Sequence, residues 1–410
     1  AGASTGWSLS GNSGATDGSS FIGTTTNVPL NFRQNNISIG RLDAGRNNVF
    51  LGDLAGGGLE TINNTMIGDH AGYSIFGVGI GHNTFIGSQA GYTNTTATEN
   101  TYVGSSAGYS NSQANGNTMI GYHAGYKNTA GSNTFIGQSS GALNTTGTDN
   151  VFLGKEAGAN NTTATGNTFV GKSAGRLNTT GTSNTANGSN ALYNNGAGLA
   201  NTAIGLQSLF SNTTGNRNTA VGYFSLHDNT TASFNTAIGH SSLNNNTTGE
   251  NNTAVGYQTL FSNTTGSLNS ATGTKALYSN TTGNGNTATG WNALLNNTTG
   301  NNNTANGLNS LALNSTGSSN SAFGALTLIS NTTGYNNTAS GAGALYFNSI
   351  GYSNTAIGTS ALENNTSGHG NTAAGANALK ANKGGHYNTA TGHQALLSNV
   401  SGDNNTANGR

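Results

Sequence analysis

Cysteine is absent from the 410 residues, proline occurs once, and only 6% of positions carry charge. The missing thiol excludes a disulfide framework, thiolate zinc sites and a cysteine nucleophile together. The little charge present is balanced, 12 Lys+Arg against 12 Asp+Glu, so the basic footprint that nucleic acid or an anionic membrane requires is lacking. No run of eighteen apolar residues occurs, which leaves no helical segment for direct membrane insertion. Low charge and scarce proline also argue against disorder, which favours both. Hydrophobic residues make up 32% of the chain, too few for an ordinary two-layer core. The chain opens on AGASTGW without an initiator Met and stops at Arg410 just inside a fresh repeat, and so reads as a piece of a longer protein.

What is abundant is glycine, 65 residues of it, and its spacing is periodic. From Gly137 to Gly409 a glycine returns every seventeen residues; upstream, Gly52, Gly68, Gly87, Gly104 and Gly121 continue the series at sixteen to nineteen. The unit reads N-T-A-x-G-x-x-A/S-L-x-x-N-T-T-G-x-x, as at Asn201-Thr202-Ala203-Ile204-Gly205. Seventeen residues are too few for two helices and a turn, and Gly and Asn in every unit disfavour helix. The fold expected is all-β, a parallel β-solenoid or β-roll of about 22 coils, each with two or three short strands joined by Gly/Asn bends.

Stacked coils place equivalent residues above one another at about 4.8 Å, so each repeated residue becomes a ladder. Two asparagine ladders are expected, Asn184 to Asn405 and Asn195 to Asn399, with a hydroxyl column at Thr185, Thr202, Thr219 and Thr236. A volume exchange marks the core. Where the residue two before the glycine is Phe50, Met66, Phe85, Tyr102, Met119, Phe135, Phe152 or Phe169, the residue four after it is Gly. From Gly188 to Gly392 the first position is always Ala and the second always Leu. Close-packed interiors conserve summed volume, so the two positions touch inside each coil. The switch divides the chain into an N-terminal β cap at 1–35, where Phe21 to Thr24 and Val28 to Phe32 alternate like paired strands, a first solenoid block at 36–183 and a second at 184–410.

One leucine and two small residues per coil bury little apolar area, and Ile204, Val221, Ile238 and Val255, each beside an inward Ala, form an outward apolar stripe. Both point to self-association as a parallel homotrimer about 100 Å long at the strand spacing. Tyr73, Tyr92, Tyr109 and Tyr126 follow the AG of four successive coils and should stack, either as a structural column or as a contact surface for a cell-surface glycan or protein. Tyr223, Tyr257 and Trp291 form a second, interrupted set.

The NTAIG…SL…NTTG unit resembles the repeats of long bacterial surface proteins and phage-type tail fibres, and the opening GWSLSGNSG…FIGTTTNVPLNF is similar to tail-fibre-domain proteins of Bacteroidota. More distantly the repeats resemble the heads of trimeric autotransporter adhesins, whose turns are shorter. The resemblance implies trimerisation and a place outside the cell, on its surface or on a virion or injection particle. No nucleophile, base and orienter converge at any break in the repeat, and the eight His residues fall at scattered positions. The expectation is therefore a non-enzymatic structural or adhesive fibre segment with no cofactor and no metal. The alternative is a polysaccharide-binding or polysaccharide-degrading tailspike, for which paired carboxylates would be required.

Overall fold

Thr202-Ala203-Ile204 shows why each coil contains one short strand. Its flanking residues are β-branched, its side chains alternate out, in and out, and the central Ala is buried. Gly205 then ends the strand at φ 127°, and a Cβ there would lie 2.5 Å from the carbonyl oxygen of Gly222 in the next coil. Beyond it the chain alternates in hand: Gln207 at φ 52°, Leu209 at 52° and Arg217 at 54° are left-handed, a conformation these residue types seldom adopt. Bonds to both neighbouring coils hold them there. Gln207 N–H donates backwards to Ser189 O and Leu209 N–H forwards to Ser225 O, each at 3.0 Å. Where the sequence suggests two or three strands per coil, the structure has one, and a laddered turn of alternating hand completes the circuit.

The computed structural model describes residues 22–57, 60–77 and 79–409, and these contain no helix. They form a parallel β-solenoid of about twenty-one turns. The chain divides into two compact units, Ala1–Asn133 and Thr134–Arg410. In the first, β1 (Leu30–Gln34) and β2 (Ile37–Asp43) form an antiparallel hairpin whose two-residue turn, Asn35-Asn36, has both φ values positive. β2 lies antiparallel on β3 (Asn48–Leu51) and so covers the open edge of the first coil. Parallel pairing then runs through β4 (Thr65–Ile67), β5 (Thr84–Ile86), β6 (Thr101–Val103) and β7 (Thr118–Ile120). The covering strands thus reach to Asp43, past the expected limit at residue 35, whereas Ile22–Val28 carries bends and the segment up to Phe21 lies outside the described residues.

The second unit carries seventeen three-residue strands, β8 (Thr134–Ile136) to β24 (Thr406–Asn408). Register matches like to like, as in Thr202↔Thr219, Ala203↔Ala220 and Ile204↔Val221. Sixteen steps at the usual strand spacing make this unit roughly 77 Å long.

The interior follows the volume exchange. Phe85, Phe135 and Phe169 are fully buried, and a Cβ at Gly91, Gly141 or Gly175 would come within 2.4 to 2.6 Å of the respective ring. In the later coils Ala288 and Leu294, like their counterparts up to Ala373 and Leu379, are both fully buried. Leu294 occupies the site at φ 52°, the hand that Gly175 adopts at 56°. Left-handed backbone costs a side-chain-bearing residue about 1–2 kcal/mol, while burying a leucine returns about 1.5–3 and avoids a cavity. Once the aromatic ring is replaced by Ala, packing wins over backbone preference. This change of core chemistry near residue 183 lies inside the second compact unit and is separate from the division after Asn133.

Both asparagine columns are buried and bonded. Asn201 N–H donates to Asn184 Oδ1 at 2.9 Å, and Asn184 Nδ2 donates to Gly198 O at 2.9 Å. In the other column Asn212 Nδ2 donates to Asn195 Oδ1 at 2.7 Å and to Gly215 O at 3.0 Å. The first Thr in NTT bridges coils through its hydroxyl, as Thr213 to Thr230 O at 3.0 Å, whereas Thr185, Thr202, Thr219 and Thr236 stand on the outer strand face.

Candidate interaction surface

The outward side of the strands carries Ile204, Val221, Ile238 and Val255 on four adjacent coils in direct register. Ile204 is 39% and Ile238 41% exposed, and Val221 and Val255 are half-buried. The alternation that buries Ala203 therefore puts its neighbour outside, as the sequence implies. Across the repeat glycine lies a second exposed column, with Leu206, Tyr223, Tyr257, Trp291 and Leu308. His240 occupies the coil between Tyr223 and Tyr257, with ring centroids 5.0 and 5.3 Å away, so these two belong to one stack of three rings, while Trp291 stands apart beyond Thr274. A search of the sequence for any ring at the seventeen-residue spacing, and not for Tyr and Trp alone, would have found it.

Tyr73, Tyr92, Tyr109 and Tyr126 stack at 5.1, 5.0 and 5.0 Å with interplanar angles of 15°, 2° and 20°. Their faces are turned on one another, which leaves edges and hydroxyls outward. His70 flanks Tyr73 at 5.1 Å and His123 flanks Tyr126 at 4.7 Å. The Tyr109 phenol is raised above its ordinary value, first by burial and then by the flanking Tyr126 and Tyr92.

Tyr102 is the interior exception. Its phenol lies within the aromatic core, pushed well up by burial, and accepts a hydrogen bond from Asn111 Nδ2. That bond draws Asn111 away from its ladder neighbour, and the buried Asn94 amide is left without a bond on either atom. The Asn212-Thr213-Thr214 pattern spells an N-glycosylation acceptor, yet Asn212 is 0% exposed and both Nδ2 protons are engaged, so the folded coil offers no free amide to a transferase.

A cleft of about 350 Å³ lies beside the capping hairpin, lined in part by Arg41, Phe50, Tyr73 and Phe76. The Arg41 guanidinium is already held by Asp43 at 2.7 Å. Other ion pairs, Arg176–Glu156 and Lys380–Glu363, both at 3.0 Å, tie coil to coil on the surface. Among the described residues no three His, Cys, Asp or Glu side chains are grouped to hold a metal, and no helix is long and apolar enough to cross a membrane. What the arrangement offers chemically is contact: flat columns of β-branched and aromatic side chains repeated at a fixed pitch. No family model, curated protein or solved structure matches the chain.

Proposed function

We propose that this chain is a structural segment of an extracellular or cell-surface fibre, acting mechanically or by adhesion, in which parallel copies pack side by side as a trimer. The observation that carries the reading is the consumption of buried polar groups by coil stacking: two asparagine columns spend their amides on the next coil, a use that confers axial rigidity. The exposed Ile204 to Val255 stripe supports the packing of copies, because monomers seldom leave contiguous apolar surface uncovered. The likeness of the repeat to surface and tail-fibre proteins supports the location, and the outward rings supply contacts for a host or prey glycan or protein.

The test is the native mass together with electron microscopy of the purified chain. A trimeric filament segment is expected, and a stable, fully folded monomer would overturn the packing. Incubation with surface polysaccharides separates the tailspike alternative, since released oligosaccharide would replace the structural reading with an enzymatic one.

A further inference from the structure

Six of the 14 tyrosines lie in direct tyrosine-on-tyrosine stacks. Four belong to the Tyr73–Tyr126 column, and the other two are Tyr335 and Tyr352, whose centroids are 4.9 Å apart at 3°. All six are half-buried or exposed, so oxidants reach them. Each stack also ends at an imidazole: His70 and His123 in the first, and His369, at 4.5 Å from Tyr352, in the second. One-electron oxidation of a phenol releases its proton, and a neutral imidazole beside the ring is a suitable acceptor.

We propose that these two stacks are sites of oxidative cross-linking, at which adjacent coils become joined by dityrosine. Two phenols each give up one electron and one proton, and the resulting phenoxyl radicals couple through their ortho carbons to form one C–C bond. The two ortho hydrogens then shift to the phenolic oxygens as the rings rearomatise. Hydrogen peroxide, acting through a haem peroxidase, takes up the two electrons and two protons and leaves as two molecules of water. The product staples one coil to the next without change of chain length, and the chemistry holds whether or not the chain serves as a fibre.

The remaining tyrosines serve as internal controls. Tyr193 stacks on Phe210, Tyr278 on Phe261, Tyr223 and Tyr257 on His240 and Tyr122 on His123, while Tyr346 lies edge-on to Phe347 and Tyr387 to His369, so none of these has a stacked phenol to couple with. Tyr102 is buried against Phe85. Intramolecular dityrosine is therefore expected between neighbours in the two stacks and nowhere else.

The experiment treats the folded full chain at high dilution with peroxidase and hydrogen peroxide and reads dityrosine fluorescence, mass on a denaturing gel and cross-linked peptides. A stack of four yields at most two cross-links and the pair one. The double variant Tyr92→Phe/Tyr109→Phe keeps the rings but breaks every phenol pair in the column, and should reduce the yield to about a third. Adding Tyr335→Phe should abolish it. Cross-links mapped to the named neighbours at single-chain mass support the proposal. Equal yield in the triple variant, links among the control tyrosines, product found only at higher mass, or no dityrosine in a folded chain whose urea-unfolded form reacts would each overturn it.

Discussion

Exchanging the core of one coil tests the packing argument most directly. Ala288 and Leu294 are fully buried in the same coil, and Leu294 sits at φ 52°. Leu294→Gly removes a buried leucine at a cost of about 2–5 kcal/mol. Relief of about 1–2 kcal/mol of left-handed strain is largely offset by the added freedom of glycine in the unfolded chain. Ala288→Phe alone forces a ring into the space Leu294 fills and should cost about 1–3 kcal/mol or more. Together the two substitutions recreate the Phe-plus-Gly interior of the earlier coils, where the ring lies where a Cβ on the glycine would be. The natural chain already sets such a coil against an Ala-plus-Leu coil, with Phe169 paired to Ala186. The double variant should therefore fall within about 1 kcal/mol of the parent, a coupling of at least about 2 kcal/mol against the ~0.5 seen for independent sites. Repeat arrays open locally, so the assay is native-state hydrogen exchange at the Leu277 amide, bonded to Ala293 O, and at the amide of position 294, bonded to Ser310 O. Strictly additive losses of protection would refute the reasoning.

Four further outcomes are expected. Gly239→Ala places a Cβ 2.4 Å from the Gly256 carbonyl oxygen at φ 129°, and backbone cannot move aside, so a loss exceeding about 3 kcal/mol should appear as exchange of the flanking amides. Asn229→Ala removes the donor to Asn212 Oδ1 and leaves Asn246 Nδ2 short of an acceptor, while Ala232 O keeps its bond from Asn218 Nδ2, so the cost is about 1–3 kcal/mol for each of the two unmet groups; Asn229→Gln should not rescue it in thermal melts. Tyr102→Phe frees Asn111 to bond Asn94 and should be neutral or raise the melting temperature, the reverse of an ordinary loss of a buried hydroxyl. Acidification should open the coil end at His369, whose imidazole is held below its ordinary value, first by burial and then by His386. The unfolded chain binds that proton more readily, so the contribution is present above the ordinary histidine range and lost as pH falls through it; the His369 amide, which donates to His386 Nδ1 at 3.2 Å, should lose protection there, and His386→Asn should weaken the pH dependence without removing the part that burial causes.

The sequence carries the seventeen-residue period, both asparagine columns, the Phe/Gly and Ala/Leu exchange and the tyrosine stack because each is a residue type repeated at one position, and stacking turns repetition into contact. It hides the backbone. Gln207, Leu209 and Arg217 adopt positive φ although none favours it, since the hydrogen bonds to two neighbouring coils override local preference. It also hides which of the three threonines in a unit bridges coils, since only the direction of the chain after Asn212 aims the Thr213 hydroxyl at Thr230 O. The Tyr102–Asn111 diversion is invisible for a different reason, being a contact between two columns and not within one.

Like-to-like register in the Ala-plus-Leu coils of the second unit means that each offers the next the same backbone donors and acceptors, the same asparagine amides and the same core shape. Length is therefore quantised. Gain or loss of one seventeen-residue unit changes this solenoid by a single step of about 4.8 Å and leaves every other contact as it was, whereas a one-residue slip would misalign strand, glycine and both amide columns at once.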